Sequence, residues 1–297
     1  MRPADQPRHR LGAYTPAGSI AGLAEAALGE YGELWKDRAA GYVAVGPAHR
    51  RQGLGARLLD EVEAFAARAG VRWLEGEARE SELSAALALV TRRGFTELER
   101  YQASRQEPAM VDLGGLEPLR ERLRRQGIEI TSFTSIDSEG ARESLYRCTM
   151  ALHRDMPHEP HVDWDDSPLE KHIRLIFENP LGLPSGIFVA RDGEEVVGIT
   201  HLVRRPGGDA EVWDTGVVGR YRRRGIGRAL KLMATRYAAE AGFHYVYTDN
   251  RSDNEGMLAI NTELGFKPSD VLVIFEKVLR PTIISTGGGV GGGSTGK

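Results

Sequence analysis

Four arginines and two glycines stand together at Arg222-Arg223-Arg224-Gly225-Ile226-Gly227-Arg228, directly ahead of an apolar-periodic stretch that runs to Ala241. Such a stretch reads as a helix, and the first backbone N–H groups of a helix have no intrahelical partner. With the positive end of the helix dipole behind them they favour an anion. Gly225 and Gly227 let the backbone approach a phosphate with no Cβ in the way, and the arginines add charge. The spacing lacks the Gly-x-Gly-x-x-Gly of a dinucleotide-binding turn. The chemistry on offer is therefore the cradling of a polyphosphate of another kind.

The same arrangement occurs twice. Aligned on their glycines, "HRRQGLGARLLDEVEAFAARAG" from His49 and "YRRRGIGRALKLMATRYAAEAG" from Tyr221 match without a gap. Each continues into a strand-like run, "VRWLE" or "FHYVYT", and then a second helical stretch ending in Gly-Phe, "ALALVTRRGF" or "MLAINTELGF". A repeat of this length with ordered elements inside it indicates two copies of one domain.

The elements that must position the loop are complete in the second copy. "IEITSF" reads as a strand and 137–156 as a helix with Leu145, Met150 and Leu152 inward. "SPLEKHIRLIFENP" reads as a helix with Ser167 as N-cap and Pro168 in its first turn. A hairpin turning at Asp192-Gly193 and the strand "AEVWDTGVV" lead into the glycine loop and its helix. "HYVYT", a helix to Leu264 and the strand "DVLVIFEKVL" complete the copy. In the first copy only "HRLGAYT", "SIAGLAEAAL" and "AAGYVAV" precede the loop, so one strand and two helices have no counterpart. Residues 103–127 bridge the copies, with "GLEPLRERLRRQG" as an amphipathic helix. The expected organisation is a truncated, degenerate domain over 1–112, a linker helix over 113–127, a complete domain over 128–282, and a flexible Gly-rich tail over 283–297.

Composition narrows the setting. The 297 residues are 41% hydrophobic and 27% charged, enough to bury a substantial core. No window approaches 18 uninterrupted apolar residues, which argues against a membrane span. "MRPADQPRHR" has no apolar stretch of signal-peptide type behind it, so a cytoplasmic protein is expected. Cys148 is the single cysteine, read as a small core residue in a reducing compartment. A formal net charge of −3 gives no global signal for nucleic acid, and "RYRRR" and "RERLRR" lack interleaved aromatics.

"TGVVGRYRRRGIGRAL" together with "NEGMLAINTELGF" resembles the GNAT superfamily of acyl-CoA-dependent N-acyltransferases, over 128–280 and more weakly over 10–105. The resemblance implies an α+β fold of two GNAT-like domains, each a mixed, mostly antiparallel twisted sheet flanked by helices. It implies acetyl-CoA as acyl donor, with no metal. The backbone of Thr215, Gly216 and Val217 would line the acetyl-pantetheine arm, with the Val217 N–H polarising the thioester carbonyl. Arg222, Arg223, Arg224, Gly225, Ile226, Gly227 and Arg228 would wrap the pyrophosphate. Asn254 stands where the family often has an Asn touching the pantetheine, and it equally suits a helix N-cap.

Against the family pattern, the position of the tyrosine that serves as general acid is Asn261 here and Val90 in the first copy. For the base, the resemblance points to Glu211, six residues before Val217. Asp214 is a second candidate, because a strand bulge would reverse the alternation between the two; His201 on the neighbouring strand is a third. The first copy has Ala39, Leu83 and Val90 at the Glu211, Asn254 and tyrosine positions, so it reads as a decayed partner. On the acceptor side, the segment holding His153, His158, His161, Asp163, Trp164, Asp165 and Asp166 would roof the cleft and attract a cationic amine. The expected function is transfer of acetyl to a primary amine of a small molecule or peptide by direct attack, in a monomer or homodimer without nucleic-acid or membrane partners. A non-catalytic acyl-CoA sensor is the alternative.

Overall fold

The computed structural model describes residues 7–28, 37–155 and 168–279. The first half contains β1 (Arg8–Tyr14), β2 (Ile20–Leu28), β3 (Arg38–Val45), α1 (Leu54–Ala69), β4 (Trp73–Arg79), α2 (Glu80–Arg92) and β5 (Thr96–Gln106). Helix α3 (Leu116–Arg124) follows. The second half contains β6 (Ile128–Ser132), α4 (Glu139–Asp155), α5 (Leu169–Phe177), β7 (Gly182–Asp192), β8 (Glu195–Arg204) and β9 (Ala210–Val217). It ends with α6 (Ile226–Glu240), β10 (Val246–Arg251), α7 (Glu255–Glu263) and β11 (Lys267–Val278).

Most elements fall where the hydrophobic period and the turn residues put them. The β7–β8 hairpin turns at Gly193, whose φ of 59° suits a residue without a Cβ. Pro168 is itself the N-cap residue of α5, and Ser167 lies outside the described residues. The bridge starts later than expected, since β5 continues to Gln106. Leu116, Leu119 and Leu123 of α3 join Ile226, Leu230 and Met233 of α6 in one apolar cluster, so the bridging helix packs into the second half's core. Cys148 is buried among Phe133, Leu145 and Ile187, and burial pushes its thiol up to about 12.

The sheet does not divide where the chain does. All the described strands form one sheet in the order β1-β2-β3-β4-β11-β5-β10-β9-β8-β7-β6. The last strand, expected to complete the second copy, instead lies between β4 and β5 of the first. Reciprocally, β5 lies between β11 and β10. Each half makes a single strand after its last helix, which would leave β4 and β10 with open edges. Pairing β5 antiparallel with β11 and sharing the pair closes both.

A buried cation locks this exchange. Arg38 of β3 is 1% exposed, and its guanidinium reaches Glu75 on β4 and, at 3.1 Å, Glu276 on β11. Lys277 of β11 pairs with Glu63 of α1 at 2.8 Å. Removing one member of a buried ion cluster leaves uncompensated charge, which costs about 3–5 kcal/mol. Arg38→Met is therefore expected to lower the denaturation midpoint strongly, whereas Arg10→Met, which removes the exposed Arg10–Glu25 pair, changes it by less than about 1 kcal/mol. Equal midpoints for the two variants would show that Arg38 does not hold the shared strands.

Candidate active site

Strands β9 and β10 run parallel but pair only at Ala210↔Val246 and Glu211↔Tyr247, then part. β9 stays paired with β8 up to Val217↔Gly198. The Val218 N–H bonds the Val197 carbonyl at 2.9 Å, so antiparallel alternation turns the backbone groups of Val217 and Thr215 away from β8, into the gap. Gly216 faces α4, where a Cβ would stand 2.6 Å from Leu152 Cδ1, so only glycine fits there.

The glycine loop closes the top of the gap. Gly225 caps α6 at φ 92°, and Arg223 also has a positive φ of 65°. The Ala229 N–H bonds the Gly225 carbonyl at 3.0 Å, so Ile226, Gly227 and Arg228 present N–H groups ahead of the helical ladder. No side chain caps this end, which leaves the cradle suited to an anionic diphosphate. The arginines divide their work. Arg222 braces the loop, its Nε donating to the Val217 carbonyl at 2.9 Å and its Nη2 to Asp155 at 2.8 Å. Arg224 lies over the Tyr221 ring, and Arg228 pairs with Glu263 at 2.6 Å. Arg223 is exposed on the loop. Sequence reasoning missed Arg122: α3 brings its Nη2 within 2.9 Å of where a Gly225 Cβ would sit and 3.5 Å from the Arg224 carbonyl. The charged stripe of "RERLRR" is the one signal that could have placed it.

A bulge in β9 decides which carboxylates share a face. His201 pairs with Asp214 and Leu202 with Val212, leaving Trp213 as the extra residue. Glu211, opposite Val203, and Asp214, opposite His201, therefore both lie on the face covered by α4 and α5. Glu211 is partly exposed, 3.8 Å from the Arg205 guanidinium. Burial raises its carboxyl, Arg205 opposes that, and Asp249 adds to it. Desolvation pushes Asp214 up to about 6. His201 is buried and stacks on Trp213 with ring centroids 5.6 Å apart; burial and then His172 hold it down to about 4, so it is neutral near pH 7.

Two asparagines belong to α7 and its N-cap. The Asn254 side chain accepts from the Met257 N–H at 3.2 Å, so here it caps α7. Asn261, at the expected tyrosine position, is buried and donates to Asn250 Oδ1 at 2.5 Å. Of the acceptor-side segment, His153 lies in the last turn of α4, while His158, His161, Asp163, Trp164, Asp165 and Asp166 lie outside the described residues. Among the described residues no group of three or more His, Cys, Asp or Glu is placed to hold a metal, and no helix is long and apolar enough to cross a membrane.

The first half repeats the loop without the side chains. Gly53 caps α1 at φ 81°, Arg51 has φ 61°, and Arg50 Nε donates to the Val45 carbonyl at 3.0 Å, matching Gly225, Arg223 and Arg222. Its strands β3 and β4 stay paired through Gly41↔Gly76, further than β9 and β10 do. Because β9 carries the extra residue Trp213 and β3 has no bulge, Ala39 pairs with Leu74 as Ala210 pairs with Val246, so the residue at the Glu211 place is Ala40 and not the expected Ala39. No described helix covers the face carrying Leu23 and Tyr42, which are 41% and 49% exposed.

Comparison with known proteins agrees with this geometry. The model of the acetyltransferase (GNAT) family matches residues 145–266, and an acetyltransferase (GNAT) domain model matches residues 14–97. Mycothiol acetyltransferase of Clavibacter sepedonicus is 30% identical over 234 residues, spanning 78% of this chain and 71% of that one. The enzyme of the same name from Amycolatopsis mediterranei is 29% identical over 75% of this chain and 70% of its own. Among solved structures, a GCN5-related N-acetyltransferase from Sphaerobacter thermophilus superposes with a TM-score of 0.69 at 19% identity, covering 92% of this chain and 82% of that one. A tandem GNAT protein from the clavulanic acid biosynthesis pathway gives 0.62 at 18% identity, over 94% and 85%. Two matched domains, relatives that cover most of the chain, and a loop built alike in both halves lead to one conclusion: the chain belongs to the GNAT family of acyl-CoA-dependent N-acetyltransferases, in its tandem form.

Proposed function

We propose that the protein moves an acetyl group from acetyl-CoA to the primary amine of a small molecule, by direct attack, in its second half (residues 128–282). The observation that carries this reading is the parting of β9 from β10 just below the uncapped start of α6. The diphosphate would rest on the N–H groups of Ile226, Gly227 and Arg228, with Arg223, Arg224 and Arg122 around it. The Val217 N–H, turned into the gap, would hold the thioester carbonyl and stabilise charge as it builds on that oxygen. The name of the relatives from Clavibacter and Amycolatopsis supports a small-molecule acceptor.

Attack needs a neutral amine, so a nearby base must take its proton. Glu211 is the candidate, partly open to solvent on the acceptor face. Asp214 is the second, favoured by the bulge that turns it to the same face and by a carboxyl raised to about 6. His201, neutral with an acidity near 4, is the weaker base. The first half, residues 1–112, keeps the loop but not the carboxylate, and we assign it coenzyme binding or a supporting surface. The buried lone Cys148 fits a reducing, cytoplasmic setting.

Thiol release measured across a panel of amines tests the reaction itself. Glu211→Gln keeps size and polarity and is expected to lower turnover roughly 10²–10⁴-fold, with partial recovery at high pH as free amine accumulates. A rate falling with acidity at about pH 6 and abolished in Asp214→Asn would transfer the role to Asp214. Full activity in both variants would remove the strand carboxylates from the mechanism.

Gly225→Glu places a charge in the cradle and is expected to abolish CoA binding by calorimetry. Gly53→Glu is expected to leave turnover within about threefold, because the first half lacks the base. Loss of turnover in a folded Gly53→Glu protein would contradict catalysis confined to the second half.

A further inference from the structure

Lys231 occupies a position in α6 where its neighbours Leu230, Leu232, Met233 and Ala234 are all buried and apolar. It is one turn beyond Gly227 on the same helix face. A Cβ on Gly227 would meet Val217 of β9 at 3.8 Å and Ile260 of α7 at 4.0 Å, so this face looks between β9 and α7. Lys231 is 2% exposed, and its ammonium lies 5.0 Å from the centre of the Phe266 ring with no hydrogen-bond partner among the described residues. Asn261 faces the same slot from α7, also 2% exposed. Its carbonyl accepts the Phe266 N–H at 2.9 Å, which fixes that ring beside it, while its side-chain Oδ1 has no partner among the described residues.

A buried amine and a buried amide oxygen, both unsatisfied, are costly to keep and are rarely without purpose. The other polar side chains packed between α6, α7, β5 and β10 include Thr235, Gln106 and Asn250, engaged in hydrogen bonds, and Ser104 and Thr248, and none of them is titratable in the working range. The ion pairs of α6, Arg228–Glu263 and Arg236–Glu117, lie at its exposed edge. Burial alone acts on the Lys231 amine, bringing it down to about 7. Such a group gives up a proton readily near neutral pH.

We propose that Lys231 donates the proton taken up by the departing coenzyme A sulfur, with Asn261 steering its ammonium across the slot between α6 and α7. The proposal rests on the acetyl-transfer reading above and fills the role left open where Asn261 replaces a tyrosine. The acceptor nitrogen forms its bond to the acetyl carbon, and its proton passes to the carboxylate on β9. As the carbon–sulfur bond breaks, its electron pair stays on sulfur, which takes a proton from the Lys231 ammonium and leaves as the thiol. The neutral Lys231 amine and the protonated carboxylate then re-equilibrate with solvent.

Lys231→Met in the full chain separates this role from a structural one. Methionine fills the site without a charge, so the variant should fold and melt higher than wild type at neutral pH. The folded-state pKa of Lys231 is lowered, so wild-type stability rises between about pH 7 and the ordinary lysine range. The difference in melting temperature should shrink over that interval. With acetyl-CoA saturating, turnover should fall about 10²-fold, KM for acetyl-CoA should hold, and the alkaline fall of the wild-type rate should disappear. A second readout needs no acceptor: by ultraviolet absorbance of the thiolate at about pH 6–7, where the Lys231 amine is still protonated, bound coenzyme A should hold more thiolate in wild type than in Lys231→Met, as a nearby cation requires. Wild-type turnover with an unchanged alkaline limb, or identical thiol ionisation in the two proteins, would overturn the proposal. A wild type that moves no amine yet shows the difference in thiol ionisation would instead overturn the acetyl-transfer reading and leave Lys231 beside the sulfur.

Discussion

The parting of β9 from β10 is the constraint on which the rest of the second half depends. Two parallel strands that pair at only Ala210↔Val246 and Glu211↔Tyr247 leave the remaining backbone groups on the facing edge of β9 without ladder partners. Backbone polar groups inside a fold need a partner from somewhere. An extended ligand carrying amides and a thioester can supply one, which is how an opening in a sheet becomes a binding site. The neighbouring features follow from it. Gly216 must lack a side chain so that β9 can lie against Leu152, the bulge at Trp213 turns two carboxylates to one face, and the loop at Gly225 meets the open end with free N–H groups.

The exchanged strands explain how so open an arrangement stays rigid. An opening weakens the sheet at its middle, and the pair β5/β11 braces it from the side: β5 holds β10 over Val246–Arg251, and β11 holds β5 and β4. The first half thus has a structural role in the second. It supplies β5 to the edge of the second half, and Arg38 keeps the exchange closed through Glu75 and Glu276. An alanine, Ala40, at the place of Glu211 and retention of the loop geometry are compatible, because the loop is fixed by backbone conformation, as the matching positive φ angles of Arg51 and Arg223 show.

Much of this was legible in the residues. Glycine spacing and the Gly-Phe endings marked the repeat, and apolar periodicity placed nearly every helix and strand of the second half. The bulge was foreseeable as a possibility at Asp214, although only register could establish it. What the sequence concealed was long-range. Nothing local distinguishes a strand that completes its own sheet from one that crosses to another, so by its sequence β11 reads as closing the second half. Arg122 was hidden for the same reason, since an exposed helix stripe does not say which loop it faces. Lys231 carried a local signal, a lysine inside an apolar helix face, but its meaning required the unpaired Asn261 opposite.

Hydrogen–deuterium exchange with and without coenzyme A tests most directly whether the opened strand pair is the donor site. Saturating coenzyme A is expected to slow exchange at Thr215–Val217 and Ile226–Arg228 together, because one ligand must span the gap and the start of α6. Protection confined to the loop, with Thr215–Val217 exchanging as before, would show that the coenzyme does not enter between β9 and β10, and the mechanism built on that opening would be wrong.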